Sequence, residues 1–248
     1  MSVSSSPANS SAAGLSPGAP GAAVALSHLS KIFGRFAALR DVSAEFAAGK
    51  LYAVLGDNGA GKTTLLRCMV GLAPPSRGAV TVLGREGARA ATAEIGYMAH
   101  PTLLYEEMSG MENLRYFAAL YGIRDHQPCE QAIRSVGLDP ALARRVGQYS
   151  QGMRQRLSLA RAVVHDPRIL FLDEPFSNVD VVSAREMVNV LAKMRDAGKT
   201  IFIVTHQASL LEGAADEFVS MAAGQISART RDLPAGLQQG APPARTTL

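Results

Sequence analysis

Residues 56–64 of this chain have the spacing of a phosphate-binding loop. They fit the pattern G-x-x-x-x-G-K-[ST], with Gly56, Gly61, Lys62 and Thr63 at the fixed positions. In such a loop backbone N–H groups point at phosphate oxygens, the lysine reaches the outer phosphates and the threonine hydroxyl can bind Mg²⁺. We therefore predict that a nucleoside triphosphate is held by Gly56, Asp57, Asn58, Gly59, Ala60, Gly61, Lys62, Thr63 and Thr64.

The flanks of this loop favour a binding site over a glycine-rich turn with an incidental lysine. Residues 51–55 are continuously apolar, which is typical of a buried parallel strand, and apolar residues recur at helical spacing after the loop. Gly71 and the pair Pro74-Pro75 end that helix. The order strand, loop, helix directs the positive end of the helix dipole at the bound phosphates.

Two carboxylates and a histidine directly follow later apolar runs. Asp173 and Glu174 come after residues 168–172, and His206 comes after residues 200–205. Because parallel strands gather their carboxyl ends on one edge of a sheet, we expect these side chains near the loop. Asp173 can hold Mg²⁺, and Glu174 can orient or deprotonate an attacking water. The alternative is a surface Asp–Glu pair that caps a strand.

The elements around these residues predict an α/β fold. Strands that alternate with helices indicate a mostly parallel sheet. Together with the phosphate loop, this predicts a P-loop NTPase of the RecA-like type. Shorter strands are predicted to form an antiparallel β layer beside it; they begin at residue 23 and also occupy 42–46, 79–83 and 95–98. Helical spacing at 111–121, 130–136 and 152–164 predicts a helical subdomain over about 101–160.

The ends of the chain differ in composition from its middle. Residues 1–22 and 232–248 are rich in Ser, Ala, Gly and Pro, and we predict a disordered leader and a disordered tail. Residues 23–231 are predicted to form a single nucleotide-binding domain.

Charge and cysteine content exclude several classes of protein. The net charge is +4 and the charges are scattered, so no nucleic-acid partner is expected. Cys68 and Cys129 lack metal-ligand spacing and indicate a reducing, ATP-containing compartment. No apolar run approaches the roughly 20 residues that cross a bilayer.

A second candidate anion site lies at residues 148–156. Ser150 is a good N-cap, and a serine with the Gly152 amide at a helix start can bind an anion. Alone, this segment would be an ordinary helix cap. Beside the phosphate loop and the carboxylates, we interpret it as part of the nucleotide machinery.

Together these motifs resemble the ATP-binding subunit of an ABC transporter over about residues 23–227. Ser150, Gly152 and the R-Q-R of 154–156 match the ABC signature. The segment departs from the usual Leu-Ser-Gly-Gly-Gln at Tyr149, Gln151 and Met153.

Four further positions carry the resemblance. Asp180 ends a segment similar to the D-loop, His206 resembles the switch histidine, and Phe33 has the place of the aromatic that stacks on adenine. A core phenylalanine is the alternative for Phe33. His100 stands where the family usually has a glutamine, and an imidazole also donates, accepts and titrates near neutral pH. Drift in a loop is the alternative for His100.

The resemblance implies a mechanism and partners. ATP and Mg²⁺ would bind between two ATPase subunits, as a homodimer or heterodimer, with the loop of one facing Ser150 and Gly152 of the other. Glu174, His206 and Lys62 would be catalytic. Integral membrane transporter subunits would dock at about residues 100–121, near Tyr105, Met108 and Met111, and hold the chain peripherally at the cytoplasmic face of the inner or plasma membrane.

Three classes of function are weighed. An ATPase that powers export is favoured, and the segment from His100 is similar to the haem-export system of cytochrome c maturation. Export of a lipid, drug or polysaccharide, or a soluble ABC ATPase without a transport role, are the alternatives. A P-loop kinase or GTPase lacks support because no N-K-x-D motif is present and the signature segment would be unexplained.

Overall fold

The computed structural model describes residues 21–234, so most of the predicted leader (1–22) and tail (232–248) lies outside the described residues. The strands in this range are β1 (Ala22–Phe33), β2 (Phe36–Ala47), β3 (Leu51–Leu55), β4 (Arg77–Val82), β5 (Arg85–Glu86), β6 (Ile95–Met98), β7 (Ile169–Asp173), β8 (Thr200–Val204), β9 (Glu217–Ala222) and β10 (Gln225–Thr230). The α-helices are α1 (Lys62–Val70), α2 (Gly110–Leu120), α3 (Gln127–Ser135), α4 (Gln151–Val163) and α5 (Val181–Asp196).

A six-stranded sheet in the order β10-β9-β3-β8-β7-β6 forms the centre of the fold. The strands from β9 to β6 run parallel, and only β10 pairs antiparallel. All residues of β3, β7 and β8 are buried. Burial on both faces explains why these three strands are continuous apolar runs in the sequence.

A second, antiparallel sheet in the order β2-β1-β4-β5 lies beside the first. The predicted α/β class with an added antiparallel layer is confirmed, but the strand at 95–98 was assigned to the wrong sheet. It is β6, the edge of the central sheet, paired parallel with β7. Four apolar residues do not reveal their pairing partner, whereas Gly96 permits a backbone approach to α4 that fixes the strand there.

The two faces of the central sheet bury different sets of elements. Along β3, Leu51, Ala53 and Leu55 pack on the helices α2 to α5, whereas Tyr52 and Val54 face α1 and the antiparallel sheet. The same alternation along β7 and β8 produces three layers, because successive strand residues point to opposite faces.

An aromatic cluster joins the two sheets. Phe202 of β8 lies 4.9 Å from the Tyr52 ring, 5.0 Å from Phe171 and 5.1 Å from Phe46 of β2, measured between ring centroids. All four rings are fully buried. The cluster therefore fixes the antiparallel sheet against the central one, at about 0.5–1.5 kcal/mol per aromatic pair beyond area burial.

Helices α2, α3 and α4 come between β6 and β7 in the chain, close to their predicted positions. Ser109 and Glu112 form a capping box at the start of α2. None of the helices within residues 21–234 combines the length and apolarity needed to span a bilayer. The β9–β10 hairpin escaped sequence analysis because β10 is largely exposed and lacks a clear apolar alternation.

Replacing Phe202 with alanine is expected to lower the free energy of unfolding by about 3–5 kcal/mol, because a large cavity would open between the sheets. Phe33→Ala is the matched control, since Phe33 is 52% exposed, and it should change stability by no more than about 0.5 kcal/mol. Urea unfolding followed by circular dichroism measures both. Equal midpoints for the two variants would contradict the assigned packing.

Candidate functional site

A cavity of about 620 Å³ opens where the central parallel strands end. Its walls include the phosphate loop, the start of α1 and the residues that follow β6, β7 and β8. Ten of the predicted site residues line it: Asn58, Gly59, Gly61, Lys62, Thr63, Thr64, His100, Asp173, Glu174 and His206. The expectation that one sheet edge gathers these groups therefore agrees with the geometry.

Two glycines of the loop are required by the backbone and by packing. Gly56 has φ +143°, and a Cβ there would lie 2.3 Å from the carbonyl oxygen of Met221. Gly61 has φ +102°, and its Cβ would lie 2.6 Å from the carbonyl oxygen of Ala38. Any side chain at either position would push the loop away from the sheet. Gly56, Asp57 and Ala60 belong to the loop but do not line the cavity.

Lys62 is a buried cation at the first position of α1. Its Nζ donates to the carbonyl oxygens of Gly56 at 2.7 Å and Asp57 at 2.9 Å. Burial lowers the pKa of Lys62, and the nearby carboxylates of Glu174, Asp57 and Asp173 oppose that shift. An ammonium held this way, at the positive end of a helix dipole, suits an anionic ligand.

Thr63 and Asp173 are joined across the cavity wall. The Thr63 hydroxyl donates to Oδ1 of the buried Asp173 at 3.0 Å. Hydroxyl and carboxylate oxygens are the donors that Mg²⁺ prefers, and phosphate oxygens supply the remaining ligands in phosphoryl-transfer sites. This pair therefore fits a magnesium ion bound together with a triphosphate.

Glu174 has an unusual backbone and an incompletely satisfied carboxylate. Its φ is +53°, in the left-handed region, although it precedes Pro175. Oε2 accepts from the His206 backbone N–H at 3.3 Å, and Oε1 lies 3.1 Å from His206 Nε2. No group within residues 21–234 donates a well-directed hydrogen bond to Oε1.

The environment of Glu174 favours proton acceptance. Burial raises the pKa of Glu174, and the proximity of His206 and Lys62 partly offsets that shift. A carboxylate at the cavity wall with a raised pKa can receive a proton from water. His206, whose side chain is half-exposed, stands beside it.

Two aromatic side chains, Phe33 and Phe36, are candidates for stacking on the base of a bound nucleotide. Phe36 lines the cavity and is 58% exposed, whereas Phe33 does not line it and instead packs under the Lys31 ammonium. The two residues pair across the β1–β2 hairpin. The prediction for Phe33 was made from its place before Gly34, and the geometry favours Phe36.

Ser150, Gly152 and Asp180 form a separate group that does not line this cavity. The Ser150 hydroxyl accepts from the Met153 N–H at 3.2 Å and caps α4, as predicted. Asp180 caps α5 through the Ser183 N–H, and this bond lowers the pKa of Asp180. A Cβ on Gly152 would lie 3.2 Å from the Ser183 hydroxyl, so the two helix starts are in contact.

Comparison with known proteins identifies the family. The model of the ABC transporter family matches residues 39–177, more than half of the chain. The chain belongs to the ABC transporter family. It is an ABC-type ATPase domain, and the phosphate loop and Asp173 lie within the matched range.

Named relatives agree with this assignment. The ABC transporter ATP-binding protein NatA of Bacillus subtilis is 35% identical over 196 residues, which are 76% of this chain and 80% of NatA. A fluoroquinolones export ATP-binding protein of Mycobacterium tuberculosis is 34% identical over 194 residues, 77% of this chain and 64% of that protein. A dimeric ATP-binding cassette solved in a post-hydrolysis state with ADP and Pi has the same fold, with a TM-score of 0.75 at 21% identity, covering 84% of this chain and 98% of that one.

Sequence reasoning missed four residues that line the cavity, namely Phe36, Ala38, Arg67 and Pro101, and it assigned Ser177 only to the segment similar to the D-loop. Arg67 could have been found, because it lies one helical turn after Thr63 and so on the same face of α1. Phe36 could not, since either aromatic of the hairpin fits a stacking role by sequence alone.

Phe36→Ala is expected to weaken ATP binding about tenfold, because stacking of one base on an aromatic ring contributes about 1–3 kcal/mol. Phe33→Ala serves as the control and should leave the dissociation constant within about twofold. Fluorescence titration with an ATP analogue labelled on its ribose measures both. The reverse ranking would restore Phe33 as the stacking residue.

Proposed function

We propose that this ABC ATPase powers export through membrane-spanning subunits that are separate chains. The observation that carries the proposal is the convergence of Lys62, Thr63, Asp173, Glu174 and His206 on one cavity in a member of this family. Export is supported by the relative named for fluoroquinolones export. A drug or antibiotic is thus the better-supported cargo, and the names of the reported relatives give no support to haem.

Magnesium has a suitable place beside the phosphate loop. Thr63 and Asp173 would hold it, as their 3.0 Å hydrogen bond already places two hard oxygen donors together. When bound, the ion would neutralise charge on the phosphate oxygens during transfer.

The remaining chemistry belongs to the side chains of this chain. Lys62 binds the outer phosphates and stabilises the charge that develops on them. Glu174, at the cavity wall, orients the attacking water and accepts its proton. The backbone N–H of His206 donates to Glu174 and so orients that carboxylate. The His206 side chain stabilises the phosphoryl group during its transfer.

Two subunits complete the site. In one chain Ser150 and Gly152 lie apart from the cavity and present a helix N-terminus, so they can serve the ATP of a second chain. A dimeric relative of the same fold was solved with ADP and Pi. A homodimer or a heterodimer of ATPase subunits would enclose two ATP molecules. Hydrolysis of the ATP would allow the closed dimer to open.

An exposed aromatic surface around α2 is the proposed dock for the membrane subunits. We define it as Leu103, Tyr105, Tyr116, Leu120 and Tyr121, each 43–69% exposed. Buried Asn113 holds it in shape, accepting from the Tyr105 N–H and donating to the Tyr105 carbonyl. Met108 and Met111 are only partly exposed. Docking here would place the chain peripherally at the cytoplasmic face of the inner or plasma membrane.

Glu174→Gln is expected to lower kcat at least about 100-fold while ATP still binds, because only proton acceptance is removed. Lys62→Ala is the contrasting variant and should weaken ATP binding about tenfold or more, because it removes a charge-assisted contact. Phosphate release and equilibrium binding separate the two effects. Wild-type turnover by the Glu174→Gln variant would remove Glu174 from the mechanism.

ATP-dependent dimerisation provides a second test of the same assignment. Glu174→Gln with ATP and Mg²⁺ should form a stable dimer in size-exclusion chromatography with light scattering, because the closed state no longer hydrolyses its ATP. Removing Mg²⁺ with EDTA should abolish turnover of the wild-type chain. A chain that stays monomeric with ATP in the Glu174→Gln form contradicts the two-subunit site.

Tyr105→Glu is expected to abolish copurification of membrane subunits from the native host, because a charge would be buried at the interface. Tyr105→Phe keeps the ring and is the matched control. Both variants should retain the ATPase activity of the isolated chain. If polytopic subunits copurify equally with both, the dock lies elsewhere; ribosomes or DNA in their place would indicate an ABC ATPase without a transport role.

A further inference from the structure

Strand β6 is an edge strand that leads directly into the ATP site. Among the strands of residues 21–234 it pairs with β7 alone, and its last residue, Met98, is two residues before His100 at the cavity wall. Within that range no strand lies along its other edge to bond the backbone carbonyls there. The position of His100 therefore depends on what holds this open edge.

Helix α4 and His165, which follows its end at Val163, contact three successive residues of β6. Arg161 Nη2 donates to the Tyr97 carbonyl at 3.3 Å, and His165 Nε2 lies 3.0 Å from the Ile95 carbonyl. Between them, the Gly96 backbone lies so close to α4 that a Cβ would be 2.3 Å from the Ala162 carbonyl oxygen. Arg161 lies in the last turn of α4 and His165 in the turn that follows it, so both reach the same strand.

The chemistry of His165 suits a fixed bond to a carbonyl. Only a protonated Nε2 can donate to Ile95, so a neutral ring leaves Nδ1 as an acceptor. Nδ1 is buried and has no partner within the described part of the chain. Burial lowers the pKa of His165, the Ile95 bond opposes this, and Lys199 lowers it further, so the neutral ring is retained at neutral pH.

The same two side chains also contact α2, which carries the exposed aromatic surface. The His165 ring stacks on Tyr121 with centroids 3.8 Å apart and an interplanar angle of 3°. The Arg161 guanidinium lies 5.2 Å from the Phe117 ring centroid. Arg161 has no carboxylate partner in residues 21–234. Its guanidinium instead contacts the Tyr97 carbonyl and the Phe117 ring, so it links β6 to α2.

We propose that Arg161 and His165 are positioning residues that make His100 follow movements of α2 and α4. At its other end, about 20 Å away, α4 starts at the Ser150 cap. A displacement of α4, either at Ser150 or through the aromatic surface, is transmitted to β6 and so to His100. The inference rests on the proposed function, because that function supplies the second subunit and the membrane partner.

The test compares four variants of the full chain by three measurements: ATP affinity, kcat at saturating ATP and melting temperature. His165→Leu and Arg161→Met remove the bonds to β6, and His165→Gln keeps an N–H donor. Arg195→Met is the matched control, since the Arg195 guanidinium also donates to a backbone carbonyl, that of Ala214, which is not part of β6.

We expect His165→Leu and Arg161→Met to lower kcat about tenfold, because β6 would lose a bond that fixes the position of His100 at the cavity wall. ATP affinity should stay within about twofold, since neither residue lines the ATP cavity. His165→Gln should recover most of the lost kcat. Arg195→Met should lower the melting temperature without lowering kcat.

Two results would overturn the inference. One is a wild-type kcat in His165→Leu and Arg161→Met; the other is a kcat loss that parallels the melting temperature in all four variants, which indicates a purely structural role. A wild-type chain that neither binds nor hydrolyses ATP would instead refute the proposed function, and with it this inference.

Discussion

The hydrogen-bonded register of the parallel strands is the constraint on which the rest of this structure depends. Val54 of β3 is aligned with Val204 of β8, and Val204 is aligned with Asp173 of β7. Leu172 in turn aligns with Met98 of β6. A slip of one residue in any of these pairs would turn a reactive side chain into the core. The register therefore places the loop, both carboxylates and both histidines at one edge.

Burial of the strands on both faces stabilises that register. The two faces of the sheet also contact different sets of elements. One face carries α1 and the antiparallel sheet, which together shape the phosphate loop and the aromatic hairpin. The other face carries α2 to α5, whose helix starts hold Ser150 and Asp180. The phosphate loop and the starts of α4 and α5 thus lie in opposite layers.

The sequence was informative where one residue type is required by its chemistry or by its backbone. The phosphate loop, Asp173 and the buried strands follow from such requirements, because few other residues allow Gly56 its φ or bury Asp173 beside Thr63. It was harder to predict from the sequence which elements and side chains contact each other. The sheet to which β6 belongs and the ring that faces the cavity both depend on long-range packing, which short apolar segments do not encode.

Contacts made through backbone carbonyls were also invisible to sequence analysis. The bonds from Arg161 and His165 to β6 join residues that are more than 60 positions apart, and no motif marks them. The same holds for Glu174, whose left-handed backbone and link to His206 appear only in three dimensions. The proposed function therefore depends on the phosphate-loop motif and on tertiary contacts that orient the side chains around it.

The most direct test is a structure of the full chain with Mg²⁺ and a non-hydrolysable ATP analogue. We expect two chains, with the γ-phosphate between Lys62 of one and Ser150 of the other, and with Glu174 facing the γ-phosphate. An analogue bound by a single chain, or bound away from the 56–64 loop, would contradict the account.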